Sequence, residues 1–323
     1  MPEVSIVIPA YNAMEYLPHT VESVLQQTFR DFEVVIVNDG STDNIKYWFD
    51  QAVRDPRFRL ISQENQGIAG ARNAGIANTQ GEFIAFLDAD DLWHPSKLKK
   101  QVQALRNNPD VGLAYTWLQY TDEHAIPTGR IVTSSFQGDV WKQLTAFNFV
   151  GCGSNAMVRR TCFKAVGNFD HSLGSYVEDW DMWLRIAKHS PFAVIKEPLV
   201  YNRKHADSCS THWQKMEESY TKVIEKAFTA APPQLLTLKR RSYSHASLCL
   251  AWKVLQGKQK NYKTALSFWQ KAFSTNPKIL FFSSFINMGV LLLLLGCFGL
   301  NRYDTIQGII VSMRQGFSAT RSQ

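Results

Sequence analysis

Four short apolar runs alternate with helical patterns in the N-terminal part of the chain, and each run gives way to polar residues at its C-terminal end. Val4-Ser5-Ile6-Val7-Ile8-Pro9 is a β-rich run stopped by proline, and Asn12 stands where it would cap a helix reaching about Gln27. Phe32 to Val37 is the second run. Ser41 or Thr42 is then placed to cap a helix ending near Arg54. Arg57 to Ser62 gives a third strand, a Gly/Ala-rich helix follows from about Ile68 to Asn78, and Glu82 to Leu87 is the fourth strand. This rhythm predicts an α/β fold with a mostly parallel sheet flanked by helices. The polar segments Pro9-Ala10-Tyr11-Asn12, Asn38-Asp39-Gly40 and Asp88-Ala89-Asp90 all fall at strand C-termini. In open α/β sheets that edge is where ligands bind.

Phe83 to Asp91 sharpens the expectation, because an apolar strand ends there in Asp88-Ala89-Asp90-Asp91. Hard carboxylate oxygens at such an edge suit Mg²⁺ or Mn²⁺ bridging to a diphosphate. An Asp after a strand also caps a following helix, and His94-Pro95-Ser96 begins a helical pattern. The net charge of +7 is mild and serves an anionic nucleotide or an anionic membrane surface. No basic run with interleaved aromatics is present, so nucleic acid is not an expected partner. The cysteines (Cys152, Cys162, Cys209, Cys249, Cys297) form no C-x-x-C pair. Their scatter argues against a zinc site or disulfide framework and for thiols in a reducing compartment. Met1-Pro2-Glu3 shows no basic-then-apolar leader, so the start of the chain is expected in the cytosol.

Beyond residue 110 the rhythm loosens. Val111 to Leu118 and Ser154 to Val158 read as strands, with turns at Asp122-Glu123, Pro127-Thr128-Gly129 and Gly167 to Asp170. Val177 to Lys188 reads as an amphipathic helix that opens in acids. Residues 211–230 and 237–273 are helical, the latter broken at Gly257. Ile279 to Leu300 then gives 22 residues without a charged side chain. As one helix it would be about 33 Å long, matching a ~30 Å hydrocarbon core. Ser283, Ser284 and Asn287 weaken its first half, so a buried hairpin or an in-plane anchor are the alternatives to a span. Lys258, Lys260, Lys263, Lys271 and Lys278 lie upstream, a bias that would keep the catalytic part cytoplasmic, on the inner face of the membrane. The expected plan is a catalytic domain over 1–210, a helical extension over 211–278, an apolar membrane-contacting helix over 279–300 and a polar tail over 301–323.

Ser5 through Asn12, Glu33 through Asp43, Asn65-Gln66-Gly67 with Ala71-Arg72-Asn73-Ala74-Gly75, Asp88-Ala89-Asp90-Asp91, Glu178-Asp179-Trp180-Asp181 and Tyr201-Asn202-Arg203-Lys204-His205 occur in this order. Together they resemble the family 2 inverting glycosyltransferases of the GT-A fold, a Rossmann-like nucleotide-diphospho-sugar transferase fold, over about residues 4–210. The resemblance implies that Asp39 accepts the N3–H of a uracil or thymine ring, with Tyr11 along the base or ribose and Pro9 shaping the loop. It implies that Gly67 lets the backbone approach the nucleotide, that Arg72 neutralises a phosphate or holds Asp88, and that Asp88 meets the ribose. Asp90 would bind the divalent ion, and His205, followed by Ser208 and Ser210, would complete the metal site or touch phosphate. Asp179 would be the general base. The residues alone leave other readings open: an Asx turn at Asp39, a sheet-edge tyrosine at Tyr11, a helix-start turn at Gly67, a helix cap at Asp91 and a surface histidine at His205. Glu178 and Asp181 can merely complement a helix dipole, Asp181 pairing with Arg185. Trp180 and Trp183 offer either a stacking face for an acceptor sugar or core.

The expected activity is metal-dependent transfer, with inversion, of a sugar from a UDP- or dTDP-linked donor to a hydroxyl of a glycan or lipid-linked acceptor, as in polysaccharide or glycolipid synthesis. The competing readings are a catalytically inactive nucleotide-sugar-binding module and a sugar-phosphate nucleotidyltransferase. The latter should carry a Gly-rich basic loop where this chain has Pro9-Ala10-Tyr11-Asn12. A nicotinamide enzyme is disfavoured because no G-x-G-x-x-G follows the first strand. Processive synthases carry several spanning helices and a Q-x-x-R-W signature, so a single-addition enzyme is expected.

Overall fold

The computed structural model describes residues 1–205, 213–229, 233–256 and 260–303. It divides into two compact units, Met1–Ser208 with Glu225–Ala227, and Cys209–Ile224 with Phe228–Gln323. In the first, β1 (Val4–Ala10), β2 (Phe32–Asp39), β3 (Phe58–Gln63) and β4 (Phe83–Phe86) form a parallel set in the order β3-β2-β1-β4. They are joined by α1 (Leu17–Leu25), α2 (Ile45–Ala52) and α3 (Gly67–Ala77). Every residue of β1 is buried, as expected for a central parallel strand covered on both faces. Val4, Ile6 and Ile8 join Val34, Ile36, Ala85 and Leu87 in one core cluster. That cluster also takes in Leu17, Val21 and Val24 of α1 and Leu98, Val102 and Leu105 of α4 (Lys97–Arg106). Helix α3 packs on β1 and β2.

The remainder of the sheet is mixed. Past β4 the order continues β8 (Met157–Arg159), β6 (Leu113–Thr121), β9 (Phe192–Arg203) and β5 (Leu92–Trp93), with β7 (Pro127–Val132) paired to β6. β4–β8, β8–β6, β6–β7 and β9–β5 are antiparallel, whereas β6–β9 is parallel. The sheet is therefore parallel in its N-terminal half and mixed beyond it. Pro127-Thr128-Gly129 belongs to β7 rather than to a turn, and the hairpin bend is formed by Asp122, whose side chain accepts from the backbone of His124 and Ile126. Strand β9 is not evident in the sequence, because Lys196-Glu197-Pro198 interrupts its apolar pattern where the β6–β9 register also shifts. Three helices complete this unit: α5 (Trp141–Leu144), α6 (Arg160–Val166) and α7 (Glu178–Ala187).

Two expected helix caps are corrected. α1 begins at Leu17, and Asn12 instead holds a left-handed backbone at φ 49° while its side-chain oxygen accepts from Thr42 and Asp43. α2 begins at Ile45, whose backbone N–H is met by Asp43 rather than by Ser41 or Thr42.

Downstream, α8 (Trp213–Ala227) is followed by α9 (Leu236–Gln256), α10 (Tyr262–Thr275) and α11 (Ser283–Phe298). Gly257, Ser208, Ser210 and the tail from 304 onward lie outside the described residues. Asn261 caps α10 by accepting from the Thr264 N–H, and Trp269 donates to the Phe285 carbonyl while stacking on its ring at 4.7 Å. The stretch 279–300 is not one long helix. Pro277–Phe281 forms a 3₁₀ turn, and α11 has 16 residues. At 1.5 Å per residue that is about 24 Å, short of a ~30 Å hydrocarbon core. Phe285, Met288, Leu291, Leu292 and Leu295 of α11 are buried, and no helix among the described residues is long and apolar enough to cross a membrane.

The turn into β4 has no slack. Gly81 donates its N–H to Ser5 Oγ, and a Cβ there would lie 2.7 Å from the Ser5 backbone nitrogen. Gly81→Ala is expected to lower stability by about 1–3 kcal/mol, read as a reduced urea midpoint at unchanged m-value.

Candidate active site

The polar ends of β1, β2 and β4 and the start of α3 lie along one edge of the parallel set. Asn12 ties the loop after β1 to the loop after β2, reinforced by the Met14 N–H donating to Asp43. Tyr11 is about half exposed on this loop, and Pro9 sits within β1 opposite Val37. Asp39, the last residue of β2, is buried and accepts from the Gln63 side chain at 2.7 Å and the Gln66 N–H at 2.9 Å. Both bonds fall on Oδ1, and a carboxylate's second oxygen can accept another N–H. Gly67 opens α3 with φ +71°, a backbone that favours glycine.

Arg72, on α3, is fully buried and bridges two carboxylates. Its Nη2 donates to Asp88 at 2.8 Å and its Nη1 to Glu178 at the start of α7. Burial opposes the charge, but Asp88, then Glu178 and Asp179, hold the guanidinium above the ordinary arginine value. A Cβ on Gly153 would fall 2.2 Å from Nη2, so only glycine leaves room for this bridge. Arg72 therefore acts on Asp88, and its guanidinium faces carboxylates rather than an open surface.

The acidic loop divides its labour. Asp88 receives Arg72, and its backbone N–H donates to Ser154 Oγ. Asp90 is partly exposed, and its carboxylate lies 2.9 Å from His205 Nε2, whose ring also leans on Tyr16 at 4.7 Å. Asp91 does not cap α4. Fully buried, it accepts from the Ser154 hydroxyl, the Asn202 amide and the Arg203 N–H, and so fastens the end of β9 beneath the loop. Burial, then the charges of Asp90 and Asp88, push its pKa up to about 8 against the pull of those donors.

Among the described residues no three His, Cys, Asp or Glu side chains cluster so as to hold a metal ion. Asp90 and His205 nevertheless form a pair of donors at the mouth of the crevice. The Asp90 carboxylate suits a hard divalent ion whose remaining ligands are substrate phosphate and water, with the softer His205 imidazole as a second donor beside it.

Asp179 lies in the first turn of α7. Its Oδ2 accepts from the Asn148 amide at 3.1 Å and its Oδ1 from the Trp180 N–H at 2.6 Å. Burial, then the neighbouring Glu178 charge, raise its pKa to about 7, although Arg72 pulls the other way. Asp181 is ion-paired to Arg185 at 2.9 Å. Trp180 and Trp183 are buried; Trp180 donates to the Leu144 carbonyl and Trp183 packs against Phe86 and Phe169, so both are core and neither offers a stacking face. The sequence reading missed Asn148, Ser154 and Asn202, whose side chains reach the acidic residues from elements distant in the chain. For Ser154 the signal was the Gly151-Cys152-Gly153-Ser154 run, as small residues permitting close approach; Asn202 lay within the Tyr201-Asn202-Arg203-Lys204-His205 run without a role of its own, and Asn148 had none.

The model of "Glycosyl transferase family 2" matches residues 5–167. Chondroitin synthase of Escherichia coli is 29% identical over 247 residues, covering 76% of this chain, which spans only 34% of that protein. An uncharacterized glycosyltransferase of Rickettsia typhi is 30% identical over 226 residues, covering 67% of this chain and 69% of the relative. Among solved structures, S. aureus TarS 1-349 in complex with UDP-GlcNAc aligns with TM-score 0.58 at 17% identity, covering 97% of this chain and 92% of that one. The mannosyltransferase PcManGT from Pyrobaculum calidifontis, in complex with GDP-Man and Mn²⁺, aligns with TM-score 0.61 at 18% identity, covering 96% and 85%. At such identities these neighbours speak for the fold alone. The mixed sheet, the acidic edge and the matched family together place this chain in glycosyl transferase family 2.

Proposed function

We propose that the protein transfers a sugar from a nucleoside-diphosphate donor, UDP- or dTDP-linked, to an acceptor hydroxyl with inversion at the anomeric carbon. The observation that carries the reading is Asp179, a nearly buried carboxylate with a pKa of about 7, oriented by Asn148 and joined through Glu178 and Arg72 to Asp88. A general base works best when its pKa lies near the working pH. One such base suffices for direct displacement: it takes the acceptor's proton while the oxygen attacks opposite the leaving diphosphate. A glycoside hydrolase would need two carboxylates in separate roles.

Asp39 would accept the N3–H of the pyrimidine through a charge-assisted bond. Tyr11 would lie along the base, Asp88 would receive the ribose, and Gly67 would admit the phosphates. Asp90 and His205 would hold Mn²⁺ or Mg²⁺, which when bound neutralises charge on the departing diphosphate. The acceptor would be a glycan or lipid-linked sugar in polysaccharide or glycolipid synthesis. The complexes of TarS with UDP-GlcNAc and of PcManGT with GDP-Man support a nucleotide-sugar donor.

Contact with a membrane from the cytoplasmic side is part of the same reading. Phe281, Ile286, Val290, Leu293 and Phe298 are exposed, and Lys278 precedes them in the chain, a composition that suits in-plane binding to an anionic surface rather than a span. The protein should co-sediment with phosphatidylglycerol vesicles and lose that binding in Leu293→Glu/Phe298→Glu; equal sedimentation of both would end the idea.

Asp179→Asn should keep nucleotide affinity and lose transfer by about 10²–10⁴-fold, and normal turnover would remove the base assignment. Because Asp179 must be ionised to accept a proton, wild-type kcat should rise with pH through about 7 and plateau above it. A flat profile between pH 5.5 and 8.5, taken as roughly bracketing that pKa, would contradict it. In calorimetric titrations with UDP, dTDP and GDP, Mn²⁺ should tighten pyrimidine nucleotide binding, and Asp90→Ala should abolish the enhancement. Binding indifferent to Mn²⁺ in the wild type would remove the metal role.

A further inference from the structure

With Trp180 and Trp183 buried, the crevice needs another surface to hold an acceptor against Asp179. The segment from Leu144 to Phe149 is pinned to α7 at two points: the Trp180 indole donates to the Leu144 carbonyl at 2.8 Å, and the Asn148 amide donates to Asp179 at 3.1 Å. Phe147 lies between these anchors, one residue from the amide that orients the base. Its ring packs on Phe149 and Phe136, with centroids 6.3 and 6.5 Å apart, and Phe136 packs on Phe149 at 5.1 Å. Beneath them, Phe149 meets Tyr115 at 5.5 Å, and the Tyr115 hydroxyl donates to the Phe136 carbonyl at 2.7 Å. Tyr115 and Phe149 are buried, whereas Phe136 and Phe147 are 37% and 39% exposed.

Two buried rings thus support two partly exposed rings, one of them next in the chain to Asn148, the residue that donates to Asp179. Phenylalanine offers no hydrogen bond, so a ligand on this surface must present an apolar face, while the adjacent carboxylate requires that it also carry a hydroxyl. A pyranose meets both conditions, with a C–H face on one side and hydroxyls around its rim. A lipid chain meets only the first. We infer that Phe136 and Phe147 form the acceptor platform, on which a pyranose ring stacks so that one hydroxyl is directed to Asp179. The inference rests on the proposed transfer reaction and adds the acceptor class to it. Its physical value is orientation: a stacked ring leaves the hydroxyl few directions in which to point.

Saturation-transfer-difference NMR on the full chain tests it without requiring turnover. The probes are the methyl β-D-glycosides of glucose, galactose, N-acetylglucosamine and glucuronic acid. Irradiating the aromatic protons should transfer saturation to the ring C–H protons of at least one glycoside. Phe147→Ala should weaken that signal about fivefold or more, while Phe147→Tyr, which keeps the ring, retains it. Affinity for UDP should be the same in all three proteins. No transfer to any glycoside in the wild type, or an undiminished signal in Phe147→Ala, overturns the platform. Parallel loss of UDP binding shows instead that the substitution disturbs the fold, and then a Phe136→Ala variant that keeps both UDP affinity and glycoside signal overturns it. Failure of the transferase reading shows separately, as absence of nucleotide binding with the platform signal intact.

Discussion

A single buried guanidinium, that of Arg72, ties α3 to the loop after β4 and to the first turn of α7. A buried charge is tolerated only when paired and hydrogen-bonded, and leaving one unpaired typically costs about 3–5 kcal/mol. That penalty makes the bridge a geometric constraint: Asp88 and Glu178 can depart from their places only by stranding Arg72. Gly153 contributes by having no side chain where Nη2 lies. The same helix is stitched on its other side, where Asn73 exchanges hydrogen bonds with the backbone of Phe169. The residues proposed to meet the donor and to act as base are thereby held in one frame.

That frame carries more negative than positive charge, and the excess has two consequences. Arg72 offsets Asp88 and Glu178 only in part, so Asp179 feels a net negative neighbourhood as well as burial, and its pKa rises toward neutrality. Asp90, further out and partly exposed, faces only the imidazole of His205 among the contacts described. A divalent ion would relieve that imbalance where an incoming diphosphate would add to it. Asp91 uses the same acidity differently. Its bonds to Ser154, Asn202 and the Arg203 backbone convert a carboxylate into a structural fastener that brings the end of β9, and so His205, to Asp90.

The parallel half of the sheet was legible because its strands are short, apolar and punctuated by turn residues, and because their polar ends recur on one edge. Local features were less so. Asn12 has the composition of a helix cap, but its backbone is left-handed and its partners lie across the crevice in the loop after β2. Asp91 matches a cap as well, and only the return of β9 reveals its partners. β9 itself hid behind Lys196-Glu197-Pro198, which a strand with an irregular pairing tolerates. Asn148 gave no signal, since an isolated asparagine gains meaning only once Asp179 is beside it. The apolar run from Ile279 has the length and composition of a span, yet it opens inside the 3₁₀ turn Pro277–Phe281, which shortens the helix, and five of that helix's 16 residues are buried.

Convergence of the strand-end loops on one nucleotide is the claim on which the catalytic reading depends. A crystal structure with Mn²⁺ and the tightest-binding of UDP, dTDP and GDP tests it most directly. The base should lie against Asp39 and Tyr11, the ribose at Asp88, and the diphosphate at a cation shared by Asp90 and His205. A nucleotide bound elsewhere, or one that leaves Asp39 and Asp90 untouched, would contradict it.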